Sequence, residues 1–282
     1  MSGGLLIWFC LGFASQLLFS SCKEAGTKSV QAGLERLDEI SADEWEALAN
    51  RRIFFGHQSV GQNIIDGLTG IMARRPSIRL SVRETSRLED FAKPVFGHAL
   101  IGKNKDPLSK IERFREIMDG GVGRSVDIAF FKLCFVDIDH TTDIEALFRD
   151  YGDSLADLTE KYPDVKFVTM TVPLISRPVG IKARLKELLG RLPWDEADNV
   201  KRNVYNDLLR ERFKGSLFDL AAIESRIGGE RKATFEKDGK SYDLLYKPYT
   251  SDGGHLNAAG RQIIAIELLS FLATLEDRRV RR

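Results

Sequence analysis

Beyond an apolar N-terminal segment, the most hydrophobic run that reads as a strand is Val126–Val136, with the sequence Val-Asp-Ile-Ala-Phe-Phe-Lys-Leu-Cys-Phe-Val. A strand this apolar cannot leave one face in water. It predicts a central strand covered on both sides, as in parallel sheets flanked by helices. The neighbouring segments fit that demand, because from Ile53 onward short apolar runs alternate with helical periodicity. Ile53–Phe55 predicts the first strand. Gln62–Arg74 predicts a helix with Ile64, Ile65, Leu68, Ile71 and Met72 on one face. Ile78–Val82 predicts a second strand, followed by a long loop to Asp106. Pro107 opens the next helix, which carries Ile111, Phe114, Ile117 and Met118.

After the central strand the pattern continues. A helix is predicted over Asp143–Lys161, a strand over Val165–Val172 and a loop over residues 174–194 with a short helix near Ala183–Leu189. Then come a helix over Asp195–Phe213, a short strand at Leu217–Leu220 and a hairpin over Thr234–Leu245 turned by Asp238-Gly239. Asn257–Leu275 closes as a helix. Alternating strands and helices imply a parallel sheet between two helical layers, a three-layer α/β/α domain. With 282 residues, 43% of them hydrophobic, the chain can bury one large core.

The N-terminus is different in kind. The apolar stretch from Leu5 to Phe19 is short for a membrane span of about 20 residues and reads as a signal-peptide core. Ser20-Ser21-Cys22 after it resembles a bacterial lipoprotein cleavage site, which would place a lipid anchor on Cys22. An ordinary secretory signal and an uncleaved anchor are the alternatives. Residues 1–22 are thus expected to be a leader, residues 23–50 a tether and a first helix capped at Ser41, residues 51–276 the main domain and 277–282 a basic tail. With Cys10 in the leader and Cys22 lipidated, only Cys134 remains, so no disulfide framework is expected. A net charge of +1 gives no argument for nucleic acid.

Two distant segments carry chemistry. Gly56-His57-Gln58-Ser59-Val60-Gly61 places a serine between the first strand and the first core helix. In an open parallel sheet this is the strand-end edge where ligands bind. The helix start also aims backbone N–H groups at the same point, where a developing oxyanion is held. Asp252-Gly253-Gly254-His255 precedes the last helix and lets an aspartate orient an imidazole. A serine needs a base, and the base needs an orienting partner; Ser59, His255 and Asp252 supply the three parts. Alone, Ser59 reads first as a helix cap, and the Asp252–His255 segment reads equally as a turn with a capping histidine; together they favour catalysis.

Together these motifs resemble the SGNH (GDSL-type) hydrolase superfamily, over about residues 52–275. Gly56-His57-Gln58-Ser59 stands where that family has Gly-Asp-Ser-Leu, and Asp252-Gly253-Gly254-His255 where it has Asp-x-x-His. Val168-Thr169-Met170-Thr171-Val172-Pro173 resembles its fourth strand. The resemblance implies a flavodoxin-like sheet and a serine esterase with no cofactor. It also implies an oxyanion glycine in the loop before Pro107, where Gly102 is the match. The family's Gly-x-Asn-Asp is replaced by Cys134-Phe135-Val136-Asp137, so the asparagine donor is missing, and Asn104 is the candidate to replace it.

His57 and His98 are further candidates to line the site. Lys132 is read as a strand-end residue reaching solvent. Asp137, Asp139, His140 and Asp143 match no metal-ligand spacing and are read as caps of the next helix. Lys182, Arg184, Lys186 and Arg191 read as a solvated face. The expected activity is removal of an acyl group, most plausibly acetyl, from a small-molecule or glycan ester in the cell envelope. The alternatives are a polysaccharide O-acyltransferase with the same triad and a non-catalytic glycan- or partner-binding lipoprotein.

Overall fold

The structure is a computed structural model and describes residues 30–178, 196–228 and 231–275. Residues 30–38 form a first helix, α1, so the last residues of the expected tether are helical. The Ser41 side chain accepts from the Glu44 N–H and Glu44 reaches back to Ser41, a closed capping box that starts α2 (Ala42–Ala49). The main domain then runs β1 (Arg52–His57), α3 (Ser59–Arg74), β2 (Val82–Glu84), β3 (Val95–Leu100), α4 (Pro107–Asp119) and β4 (Ile128–Phe131). It continues through α5 (Ile144–Lys161), β5 (Lys166–Met170), α6 (Glu196–Arg212), β6 (Leu217–Phe218) and α7 (Leu220–Ser225). After two small antiparallel pairs, β7 (Arg226–Gly228) with β8 (Arg231–Lys232) and β9 (Thr234–Lys237) with β10 (Lys240–Asp243), the fold closes with α8 (Ala258–Ala273).

Six strands form one sheet in the order β2-β3-β1-β4-β5-β6, and every pairing in it is parallel. Without the short edge strand β2, this is the doubly wound order 2-1-3-4-5. Alternation along each strand sorts the core into two layers. Phe55 and Phe130 face α3 and α8 and stack at 4.7 Å between ring centroids. Phe54 and Phe131 face α4 and α5, where Phe114 lies 4.6 Å from Phe131. The expected α/β/α architecture is therefore the observed one.

Several expected elements differ. The long loop before Asp106 contains β3, whose sequence Val-Phe-Gly-His-Ala-Leu lacks a clean strand pattern. Its Gly97 is bare because Phe91 lies over it; a Cβ there would meet the Phe91 ring at 2.5 Å. Residues 78–81 do not extend β2, and Ile78 is instead buried in the core. The apolar run after Val126 leaves the sheet at Phe131, because Cys134 N–H turns to donate to the Asp137 carboxylate at 2.6 Å and a short 3-10 turn follows. Asp219 caps α7 by accepting from Ala222 N–H, so β6 ends at Phe218. The Asp238-Gly239 turn is as expected, with both residues at positive φ (50° and 73°). The helix expected near Ala183–Leu189 lies outside the described residues.

The helices α3 and α8 pack closely, and Gly67 permits it. A Cβ on Gly67 would lie 2.3 Å from Arg261 O and 2.9 Å from Ala265 Cβ. Backbone cannot yield as a side-chain tip can. Gly67→Ala is therefore expected to lower stability by about 1–3 kcal/mol despite its better helix propensity. Urea denaturation of the two proteins measures this, and a gain in stability would show that the helices can separate without cost.

Candidate active site

Ser59 is the first residue of α3, directly after β1. Gln58 occupies the cap position but makes no side-chain cap. Its amide instead donates to Ile101 O and Gly102 O, both at 3.0 Å. This ties the serine turn to the loop after β3. The Gly61 and Gln62 N–H groups donate to Gln58 O. The N–H groups of Ser59 and Val60 come at the start of the helix, ahead of any intrahelical acceptor.

The other half of the site is the turn before α8. His255 Nδ1 lies 2.7 Å from Asp252 Oδ2, and Asp252 Oδ1 accepts from the Gly254 and His255 N–H groups at 2.9 and 2.8 Å. A carboxylate can only accept here, so Nδ1 carries the proton and Nε2 is left with its lone pair. Partial burial works to raise the Asp252 pKa, but those two N–H bonds and the imidazole pull it well below the usual carboxylate range. Gly253 has φ 104°, which this tight turn requires. The edge of Phe135 meets the His255 ring at 5.6 Å and 75°, and a Cβ on Gly254 would strike Phe135 at 2.8 Å. Side-chain exposures of 44% for His255 and 57% for Asp252 leave the pair open to solvent.

One hydrogen bond joins the two halves. Leu256 N–H donates to Asn63 Oδ1 at 3.0 Å, both buried. Asn63 lies one turn after Ser59, on the same helix face, so it sets the residue next to His255 against the helix that Ser59 opens. No hydrogen bond links Ser59 Oγ to His255 among the described residues. In unliganded active sites catalytic hydrogen bonds are often long and tighten only when substrate binds.

The loop after β3 bends through Gly102 at φ 56° and Lys105 at φ 68°. Asn104 is exposed at its tip, and its Oδ1 accepts from Lys110 Nζ at 3.1 Å, so the amide NH2 remains available. Lys110 Nζ also bonds Asp137 Oδ2, in an ion pair whose side chains are both fully buried. An open cleft of about 390 Å³, lined by Glu84, Thr85, Arg87 and Leu100 among others, lies where β3 runs into this loop.

His57 and His98 lie beneath the surface rather than lining the site, with exposures of 1% and 6%. His57 Nδ1 lies 3.1 Å from Gln58 O, and its Nε2 lies 3.0 Å from His98 Nδ1. The carbonyl can only accept, so His57 is protonated on Nδ1 and His98 must donate through its own Nδ1. Burial, with help from His98 and Lys132, drives the His57 pKa down to about 4 against the pull of its bond to Gln58. The pair is a neutral support for the serine turn. A Cβ on Gly61 would lie 2.2 Å from His57 Cβ, so the ring packs directly under the first turn of α3.

Lys132 does not reach solvent; it is fully buried, with Nζ 3.4 Å from both Leu133 O and Cys134 Sγ. It follows Phe130 on the α3 side of the sheet, and the apolar run gives its stem no path out. Asp137 is not a cap for α5; it is spent on Lys110, Lys105 N–H and Cys134 N–H. Asp143 is the cap, accepting from Ala146 N–H at 3.0 Å. Asp139 holds Thr141, and His140 pairs with Asp198 at 2.8 Å. Lys182, Arg184, Lys186 and Arg191 lie outside the described residues.

Three contributors were not singled out by sequence reasoning. Asn63 and Lys110 both sit on otherwise apolar helix stripes, and that misplaced polarity was the available signal. Glu224 gave none. It is fully buried, and its Oε2 accepts from Leu174 N–H at 3.0 Å. Two residues on, Ser176 N–H donates to Gly253 O at 2.8 Å, so Glu224 helps to brace the Asp252 turn. Burial raises the Glu224 pKa to about 8, against the Leu174 bond and the Lys132 charge. The folded chain keeps this proton where the unfolded chain, at its ordinary value of 4.5, has lost it. The contribution is therefore complete below pH 4.5 and is lost as pH rises to about 8. Denaturant titrations across this window should show wild-type stability falling relative to Glu224→Gln by up to about 1.4 kcal/mol per pH unit. Parallel pH curves for the two proteins would mean the carboxyl is ionised throughout.

No family model matches the chain, and no curated protein does. Among solved structures, an acetyl xylan esterase is similar at 16% identity and TM-score 0.45, over 77% of this chain and 98% of its own. A protein described as a GDSL-like lipase from Parabacteroides merdae is similar at 14% and 0.46, over 79% and 95%. A lipopolysaccharide acetyltransferase periplasmic domain from Salmonella ser. Paratyphi A is similar at 11% and 0.42, over 78% and 82%. Likenesses this distant carry no function, and the strand order stands without them. With a parallel sheet wound as 2-1-3-4-5, Ser59 directly after β1 and Asp252–His255 directly before the last helix, the chain has a three-layer α/β/α, flavodoxin-like doubly wound fold.

Proposed function

We propose that the protein is a serine esterase that removes an acyl group, acetyl in this reading, from an alcohol such as a glycan hydroxyl. The observation that carries this is the Asp252–His255 pair, with Nδ1–H held by the carboxylate and Nε2 free, tethered through Leu256 and Asn63 to the helix that begins with Ser59. In this reading His255 Nε2 takes the Ser59 proton as Oγ attacks the ester carbonyl. The carbonyl becomes an oxyanion held by the Ser59 and Gly102 N–H groups and the Asn104 amide. His255 then returns the proton to the departing alkoxide, leaving an acyl-serine. Water, deprotonated by the same imidazole, releases the acid and restores the serine.

The exposed setting of His255 and Asp252 suits an ester carried on a bulky glycan. Export by the leader and a lipid on Cys22 would place the enzyme in the cell envelope; both lie outside the described residues. Transfer to a second hydroxyl needs the same triad and differs only in the acceptor that resolves the acyl-serine. Incubation with an acyl donor and candidate glycans, read by mass spectrometry, separates the two.

The leaderless chain, residues 23–282, is expected to hydrolyse p-nitrophenyl acetate. Ser59→Ala and His255→Ala should each lower kcat by at least about 10³-fold while circular dichroism stays unchanged. Turnover surviving in either variant would sink the triad. Asn104→Ala should cost about 10²–10³-fold in kcat with little change in KM, the loss typical of one oxyanion donor. Full activity in that variant would remove Asn104 from the hole.

A further inference from the structure

We infer that the buried Lys110–Asp137 ion pair is the positioning device for the proposed oxyanion loop, fixing Gly102 and Asn104 in place. The inference rests on the esterase reading above and adds to it what shapes the hole.

The geometry converges on two side chains. Lys110 Nζ bonds Asp137 Oδ2 and Asn104 Oδ1. Asp137 Oδ2 also accepts from Cys134 N–H at 2.6 Å, and its Oδ1 accepts from Lys105 N–H at 2.9 Å. One carboxylate therefore holds the loop after β3 and the loop after β4 together. Both side chains are fully buried, so solvent cannot supply either partner. Lys105 adopts φ 68°, which a side-chain-bearing residue rarely does without compensation, and its N–H bond to Asp137 supplies that compensation. Gly102 packs onto Lys110 itself; a Cβ there would lie 2.6 Å from Lys110 N and Cγ.

The consequence for Asn104 is orientation. Its oxygen is occupied by the ammonium, so its NH2 must face the other way. A free asparagine at a loop tip would sample both flips. Here the buried cation selects the donor-outward one. Neither Lys110 nor Asp137 reaches the substrate: they are positioning residues, and Asn104 is the group that would touch the oxyanion.

The test uses Lys110→Met/Asp137→Leu, which removes both charges and both carboxylate acceptors at similar volume, in the full leaderless chain. The Lys105 amide should exchange its hydrogen at least about tenfold faster than in the wild type, while sheet amides keep their protection. The kcat should fall at least about tenfold with KM within about twofold, and adding Asn104→Ala should cost little more. A merely structural pair would not make Asn104→Ala silent. Unchanged Lys105 exchange in the folded variant overturns the inference, as does a full additional loss from Asn104→Ala. A Lys105 amide that exchanges at the unprotected rate in the wild type overturns it without any variant. Absence of Ser59-dependent turnover in the wild type instead overturns the esterase reading, and the catalytic role assigned to the pair falls with it.

Discussion

The close packing of α3 on α8 is the constraint on which the site depends. Both helices begin at the carboxyl edge of the sheet, and the residues that matter precede or open them: Ser59 at the start of α3 and His255 just before α8. Gly67 lets the two backbones approach, and Asn63 then locks the turn before α8 to the first turns of α3. Neither segment makes a site alone. Helix–helix packing, an apolar interaction remote from the chemistry, is what converts two distant sequence motifs into one candidate centre.

Around that centre the chain uses buried polar groups in two different ways. His57 and His98 are kept neutral and solve a hydrogen-bonding problem beneath the serine turn. Lys110 and Asp137 are an ion pair between two loops. Burying such charges is expensive, and removing one partner alone typically costs about 3–5 kcal/mol. This pair sits under the loop that bears Gly102 and Asn104.

The sheet was legible because parallel strands are apolar on both faces and helices repeat at a different period. That was enough for β1, α3, α4, α5 and the final helix. It failed at β3, where Gly97 exists to receive the Phe91 ring and so erases the strand pattern. It also overran at β4, where Asp137 captures Cys134 N–H and ends the ladder inside an apolar run. The positions of Ser59 at a helix start after β1 and of Asp252 and His255 before the last helix were legible because turn chemistry and helix starts mark strand-end edges. Lys132 was misread as a solvent-reaching residue because hydropathy does not show which way a strand's last side chain can exit. Asp137 was misread as a cap because its partner, Lys110, is distant in sequence and belongs to another helix.

The loop after β3 is held from below while its tip residues, Lys103 and Lys105, are exposed. Its backbone shape is set by Lys110, Asp137 and the two positive-φ positions, not by the outward side chains. Mutation can therefore explore new chemistry at the rim of the site without disturbing the groups beneath it. In the esterase reading proposed above, a loop built this way would uncouple substrate preference from the machinery of turnover and leave recognition free to diverge while the reaction stays fixed.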